Sequence, residues 1–86
     1  MAPITIYSKD YCPYCVKAKT LLKRKGREDV HEIDITHDEA LQQEMIAKSG
    51  GRRSVPQIFI GDTHVGGCDD LYALDAAGKL DAMLKA

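Results

Sequence analysis

Apolar and polar residues alternate over Ile4-Thr5-Ile6-Tyr7-Ser8, the period of a half-buried strand. From residue 13 the spacing changes. Val16, Ala18, Leu21 and Leu22 supply apolar positions at helical intervals, and the pattern predicts a helix over 13–25. Gly26 suits the C′ position after its basic last turn. Residues 30–35 alternate again, Val30, Glu32 and Asp34 against His31, Ile33 and Ile35, which predicts a second strand parallel to the first. Thr36 or Asp38 caps a second helix with an apolar stripe of Leu41, Met45 and Ile46, ended by Gly50-Gly51. Pro56 to Ile60 reads as a third strand with Ile58 and Ile60 on one face. Gly61-Asp62 turns it into a short fourth strand, Thr63-His64-Val65. After Gly66-Gly67 come a helix through Leu71, Leu74 and Ala77 and a last short helix over 80–84. The order is β-α-β-α-β-β-α-α, an α/β pattern without repeat, linker or low-complexity segment, and residues 1–86 read as one domain.

Cys12-Pro13-Tyr14-Cys15 falls where the first strand gives way to the first helix. Two cysteines at this spacing and junction form a thioredoxin-type redox motif. Proline suits the first helical position, because its missing N–H would have no intrahelical partner there. Cys12 is then the N-cap and Cys15 a first-turn residue. Unpaired N–H groups and the helix dipole favour a thiolate on Cys12, and the thiolate is the attacking species. Cys15, in line with Ala18 and Leu22, should face inward and resolve a mixed disulfide formed on Cys12.

Two other uses of the pair fit poorly. As a structural disulfide, a loop of two intervening residues would remove little unfolded-state entropy. As half of a zinc site it needs four ligands. Cys68, His31, His37 and His64 are the remaining candidates and supply neither a second CxxC nor an HxxxH; no metal is expected.

Eighty-six residues bury a modest core, about 60–65% of the unfolded surface. Three cysteines do not suit a secreted disulfide framework. The first residues show no basic segment followed by an apolar one, and no stretch approaches the ~20 apolar residues of a membrane span. The chain is expected to be soluble, monomeric and cytoplasmic. Its net charge of −1 hides an asymmetry: residues 1–27 sum to +6, 28–49 to −6 and 50–86 to −1. Lys17, Lys19, Lys23, Arg24 and Lys25 crowd the first helix, where the last-turn cations complement its dipole. With 6% aromatic residues and basic groups balanced within the domain, a nucleic-acid site is not supported.

Two further loops fall near the motif in this order. Ser54-Val55-Pro56 precedes the third strand. Val55 is extended because it precedes proline, and its backbone could pair with an extended peptide. Local sequence favours a trans bond, since only about 5–6% of X–Pro bonds are cis. Gly66-Gly67-Cys68-Asp69-Asp70 opens the third helix, whose N–H groups suit a carboxylate; ordinary turn chemistry explains the same residues. Cys68 reads as a small, partly buried turn residue.

Tyr7-Ser8-Lys9, Cys12-Pro13-Tyr14-Cys15, Ser54-Val55-Pro56-Gln57-Ile58-Phe59-Ile60 and Gly66-Gly67-Cys68-Asp69-Asp70-Leu71 together resemble a glutaredoxin of the small bacterial dithiol class, over essentially the whole chain. The resemblance implies a thioredoxin fold, a four-stranded mixed sheet flanked by helices, with Pro56 cis. It implies an oxidoreductase that reduces protein disulfides and glutathione mixed disulfides, with glutathione as electron donor and ribonucleotide reductase among the candidate partners. Cys12 would be the nucleophile and Cys15 the resolving thiol. Lys9 and Tyr14 would border the glutathione site, Val55 beside Pro56 would pair with the glutathione backbone, and Arg52 would meet the glycine carboxylate. Cys68, through its backbone, and Asp69 and Asp70 would face the γ-glutamyl end. Many relatives carry threonine where Ser54 stands, and Arg53 beside Arg52 is a second candidate cation.

Two other readings start from the same residues. A redoxin served by a flavoprotein reductase and acting on ribonucleotide reductase would lack a glutathione site, against Arg52, Asp69 and Asp70. A glutathione-ligated iron–sulfur carrier would use Cys12 as ligand, but Pro13 stiffens that loop and Cys15 offers a competing disulfide.

Overall fold

The computed structural model describes residues 2–86. Four strands, β1 (Ile4–Ser8), β2 (His31–Asp34), β3 (Gln57–Ile60) and β4 (Thr63–Gly66), form one sheet in the order β2-β1-β3-β4. β1 and β2 are parallel, and the other two pairings are antiparallel. Four helices complete the chain: α1 (Pro13–Arg24), α2 (Glu39–Lys48), α3 (Cys68–Ala76) and α4 (Leu80–Lys85). This is the expected mixed sheet with the expected element order.

The alternation in β1 and β3 separates two cores, because successive side chains point to opposite faces of a strand. Ile4, Ile6, Ile58 and Ile60 pack with Ala18, Leu21 and Leu22 of α1, Leu71 of α3, and Leu80 and Leu84 of α4. Tyr7 and Phe59 point the other way and pack with Ile35 and Met45, joined by Leu41, Ile46 and Val55. The Tyr7 hydroxyl donates to Glu44 of α2 at 2.8 Å. Burial first, and then the Glu44 carboxylate, push this phenol up to about 12.

Several boundaries move for local reasons. β2 is shorter than the expected 30–35, though the Ile35 N–H still donates to the Ser8 carbonyl at 2.9 Å. β3 starts at Gln57, one residue after Pro56, which has no N–H for the ladder. Asp38 is the cap of α2, accepting from the Leu41 N–H at 3.0 Å. Thr36, the other candidate, instead accepts from the Asp10 N–H at 2.8 Å and anchors the loop leading to Cys12. Gly26, with φ +84, turns the chain out of α1 as expected. Val16 does not join the core. It is 59% exposed, because Cys15, Ala18, Leu21 and Leu22 define the inward face of α1 and Val16 projects from the opposite side. Among the described residues, no helix is long and apolar enough to cross a membrane.

Sequence patterning assigns no role to Arg27, yet its side chain is buried, 4% exposed. One guanidinium nitrogen donates to the Leu84 carbonyl at 2.9 Å and another to the Ala2 carbonyl at 2.7 Å. The guanidinium also grips the Asp29 carboxylate, at 2.8 and 2.9 Å. One side chain thus ties the entry to β1 and the end of α4 to the α1–β2 connection. Lys25 adds contacts to Asp75 of α3 at 2.6 Å and Asp81 of α4 at 3.1 Å.

Replacing Arg27 with leucine leaves two carbonyls and a carboxylate without their charged donor. The substitution should lower unfolding free energy by about 2 kcal/mol, as hydrogen bonds to charged groups contribute about 1.5–3 kcal/mol. Urea denaturation measures it, and an unchanged midpoint would show that packing alone holds the two termini.

Candidate active site

Strand register brings three separate loops together. Tyr7, near the end of β1, lies opposite Gln57 at the start of β3. The segment after β1 and the segment before β3 therefore share one edge of the sheet. β4 runs antiparallel to β3, and Gly66 at its end lies opposite Ile58, which brings the start of α3 to the same edge. The Cys12 loop, Ser54-Val55-Pro56 and Gly67-Cys68-Asp69-Asp70 meet there by topology.

Cys12 caps α1 in extended geometry, φ −147 and ψ 97, with Pro13 behind it in the first turn. Its Sγ accepts from the Cys15 backbone N–H at 3.1 Å, and it is joined to Cys15 in a disulfide with the Cα atoms 5.2 Å apart. The first turn of α1 carries no acidic residue to oppose an anion. Cys15 is 2% exposed, whereas Cys12 is half-buried, so Cys12 is the sulfur within reach of a substrate. Tyr11, Tyr14 and Val16 stand exposed around the pair.

A cleft of about 250 Å³ opens beside Tyr14, which stands between the two cysteines; neither Cys12 nor Cys15 is in its lining. Tyr14, Arg52, Val55, Pro56, Cys68, Asp69 and Asp70, seven of the residues singled out from the sequence, line it together with Ser54 and Gly67. The Val55–Pro56 bond is cis. That agrees with the family resemblance and corrects the local expectation, which rested on frequency alone. Lys9 is exposed after β1 and does not line the cleft. Arg53 is likewise exposed and outside it, so Arg52 is the arginine that faces the cavity. Cys68 is more buried than expected, 5% exposed in the first turn of α3, and burial pushes its thiol pKa up.

The charges are arranged differently from the expected cation at one end and helix start at the other. Arg52 Nη1 lies 3.2 Å from Asp70 Oδ2, and the same oxygen accepts from the Gly67 N–H at 2.8 Å. The Gly67 N–H, and after it the Arg52 guanidinium, hold the Asp70 carboxyl below the usual carboxylate range. Ser49 fixes the arginine's backbone. Its Oγ accepts from the Arg52 N–H at 3.2 Å and donates to the Arg52 carbonyl at 3.0 Å. Cation, anion and free helix N–H groups therefore share the α3 end of the cleft. Neither Ser49 nor this ion pair was visible in the sequence, because each depends on the bend of the Gly50-Gly51 loop.

Residues 4–65 match the family profile described as Glutaredoxin. The chain belongs to the glutaredoxin family. It is 55% identical to Glutaredoxin of Pseudomonas aeruginosa over 86 residues, covering 100% of both chains. It is 55% identical to Glutaredoxin 3 of Escherichia coli over 85 residues, covering 99% of this chain and 100% of that one. Its fold matches that of the glutaredoxin from Brucella melitensis with a TM-score of 0.85 at 55% identity, covering 99% of this chain and 90% of the other. It matches a buckwheat glutaredoxin–glutathione complex with a TM-score of 0.87 at 34% identity, covering 98% and 77% of the two chains. The Cys12–Cys15 pair is accordingly the redox-active disulfide of a glutaredoxin with a thioredoxin-like fold.

In this glutaredoxin Gly66 has φ +117, and a methyl group there would lie 2.8 Å from the Asp70 carboxyl carbon and 3.0 Å from Arg52 Nη1. Gly66→Ala should therefore part the Arg52–Asp70 pair and destabilise the protein by about 1–3 kcal/mol. Gly67→Ala is the milder control, since the nearest atom to its methyl would be the Pro56 carbonyl oxygen at 3.5 Å. Equal urea midpoints for the two variants would count against the crowding argument.

Proposed function

We propose that this glutaredoxin is a glutathione-dependent thiol–disulfide oxidoreductase that reduces glutathione mixed disulfides and protein disulfides in the cytoplasm. The observation that carries the reading is a single accessible sulfur at a helix N-terminus, beside a cleft with an extended backbone segment and paired charges. A structural relative, the buckwheat protein, is a glutaredoxin–glutathione complex.

Reduction begins with the Cys12 thiolate, held by the Cys15 N–H and the dipole of α1. It attacks the glutathione sulfur of a mixed disulfide. The substrate thiolate leaves and takes a proton from solvent, while glutathione remains on Cys12. The thiolate of a second glutathione attacks that bound sulfur, forming glutathione disulfide and releasing Cys12 as thiolate. With a protein disulfide, Cys12 forms the mixed disulfide with one substrate sulfur. Cys15 then attacks Cys12 Sγ and expels the substrate thiolate, leaving the Cys12–Cys15 disulfide. Two glutathione molecules reduce it again.

Selecting one sulfur of a mixed disulfide requires the glutathione half to be held. Val55 supplies strand-like backbone for the ligand's cysteine. Cys68 N–H, Asp69 and Asp70 take the γ-glutamyl end, and Tyr14 closes the side nearest Cys12. With one edge of its guanidinium on Asp70, Arg52 keeps other N–H groups for a carboxylate. The resemblance proposes the glycine carboxylate as its partner, and its place in the cleft lining supports a contact with the ligand. Lys9, outside the cleft, adds only long-range attraction for an anion.

Cys12→Ser should abolish thiol transfer. Cys15→Ser should keep turnover of a glutathionylated peptide and lose reduction of protein disulfides that needs both thiols. A coupled assay with each substrate measures both, and an inactive Cys15 variant beside an active Cys12 variant would reverse the roles.

Arg52→Glu should raise KM for a glutathionylated peptide several-fold while changing attack on a small disulfide without glutathione much less, because repulsion replaces a charge-assisted contact. Arg53→Glu, outside the cleft, should leave KM nearly unchanged. Equal effects from the two variants would point to a diffuse field instead of a contact.

A further inference from the structure

Gln57 follows Pro56 directly, and its side chain is fully buried, 0% exposed. A buried amide needs partners at both ends, and this one has them. Nε2 donates to the Ser54 carbonyl at 3.0 Å and lies 3.3 Å from Ser54 Oγ. Oε1 is 2.7 Å from His64 Nε2. An amide nitrogen only donates and an amide oxygen only accepts. With Gln57 Nε2 committed to Ser54, Oε1 requires a donor, which assigns the His64 proton to Nε2. His64 is itself placed by strand register, opposite Phe59, with the two rings 4.9 Å apart.

We propose that His64 and Gln57 are positioning residues that aim the Val55 backbone at the ligand. The Ser54 carbonyl and the Val55 N–H belong to one peptide plane, and in a trans peptide they point in opposite directions. Pinning the Ser54 oxygen inward on Gln57 therefore turns the Val55 N–H outward, toward the cleft that Val55 lines. Ser54, Val55 and Pro56 belong to no helix or strand, so no ladder hydrogen bonds hold this plane. A flipped Gln57 would set its oxygen against the Ser54 carbonyl oxygen, so Ser54 fixes the sense of the amide and His64, donating to Oε1, anchors its other end. The inference rests on the proposed glutathione reading and adds two residues that do not line the cleft.

The test uses full-length Gln57→Leu, His64→Leu and the double variant. KM is measured for a glutathionylated peptide and for the same peptide carrying a mercaptoethanol mixed disulfide. Each single variant should raise KM for the glutathionylated peptide roughly tenfold, the loss expected for one buried hydrogen bond. The rate of Cys12 alkylation by iodoacetamide should stay within about twofold, since the cap of α1 is untouched. The double variant should be no worse than Gln57→Leu alone, because linked residues are not additive. His64→Gln, which restores a donor, should recover much of the loss. A general loss of stability would instead move both substrates together. Should Gln57→Leu fail to fold, His64→Leu on the edge strand carries the test with its glutamine rescue. A wild-type preference for the glutathionylated peptide that persists unaltered in the variants overturns this inference alone. So do additive losses. No preference in the wild-type protein overturns the proposed function, and this inference with it.

Discussion

The hydrogen bond from the Cys15 N–H to Cys12 Sγ, 3.1 Å long, makes one sulfur both the cap of α1 and half of the disulfide. A helix must satisfy its first N–H groups, and an oxygen side chain usually does so. Here a sulfur takes that place, so the requirement that starts the helix also provides the environment that favours a thiolate. Pro13 sets the first turn, and the inward face of α1 then decides that Cys15 is buried and Cys12 is not. The difference in exposure between the two thiols follows from the pitch of one helix docked on one sheet.

The site is otherwise a consequence of strand direction. β1 and β3 are antiparallel, as are β3 and β4. The end of β1, the start of β3 and the end of β4 therefore share one edge, and the loops joined to them enclose the cleft. Each loop brings a different kind of group: a sulfur, an extended backbone, and a helix start carrying acidic residues. None makes a site alone. The fixed spacing of strands in a sheet sets how far apart the three loops stand.

Two arginines show how little local sequence says about a long side chain. Arg27 sits in a charged stretch and would pass for a solvated residue, yet it is buried and holds both ends of the described chain. Arg52 lies beside Arg53, and local pattern does not separate them although the family resemblance pointed to Arg52; only Arg52 reaches the cleft, through the bend at Gly50-Gly51 and the hydroxyl of Ser49. A flexible side chain goes where its partners are, and those partners come from distant segments.

What the sequence determined by itself were the features that short-range physics controls. Periods of two and of helical spacing located the elements, glycine and aspartate marked where helices stop and start, and Cys12-Pro13-Tyr14-Cys15 declared the redox pair through its spacing and its place at a strand-to-helix junction. The family resemblance added the cis bond before Pro56, which local frequency argued against. Tertiary structure decided the rest: the outward turn of Val16, the burial of Arg27 and Cys68, the Arg52–Asp70 pair, and the chain from His64 through Gln57 to Ser54. Each depends on which segments the sheet lays side by side. A hydrogen bond or ion pair between residues far apart in sequence forms only after packing has brought them together, so periodicity along the chain carries no record of it.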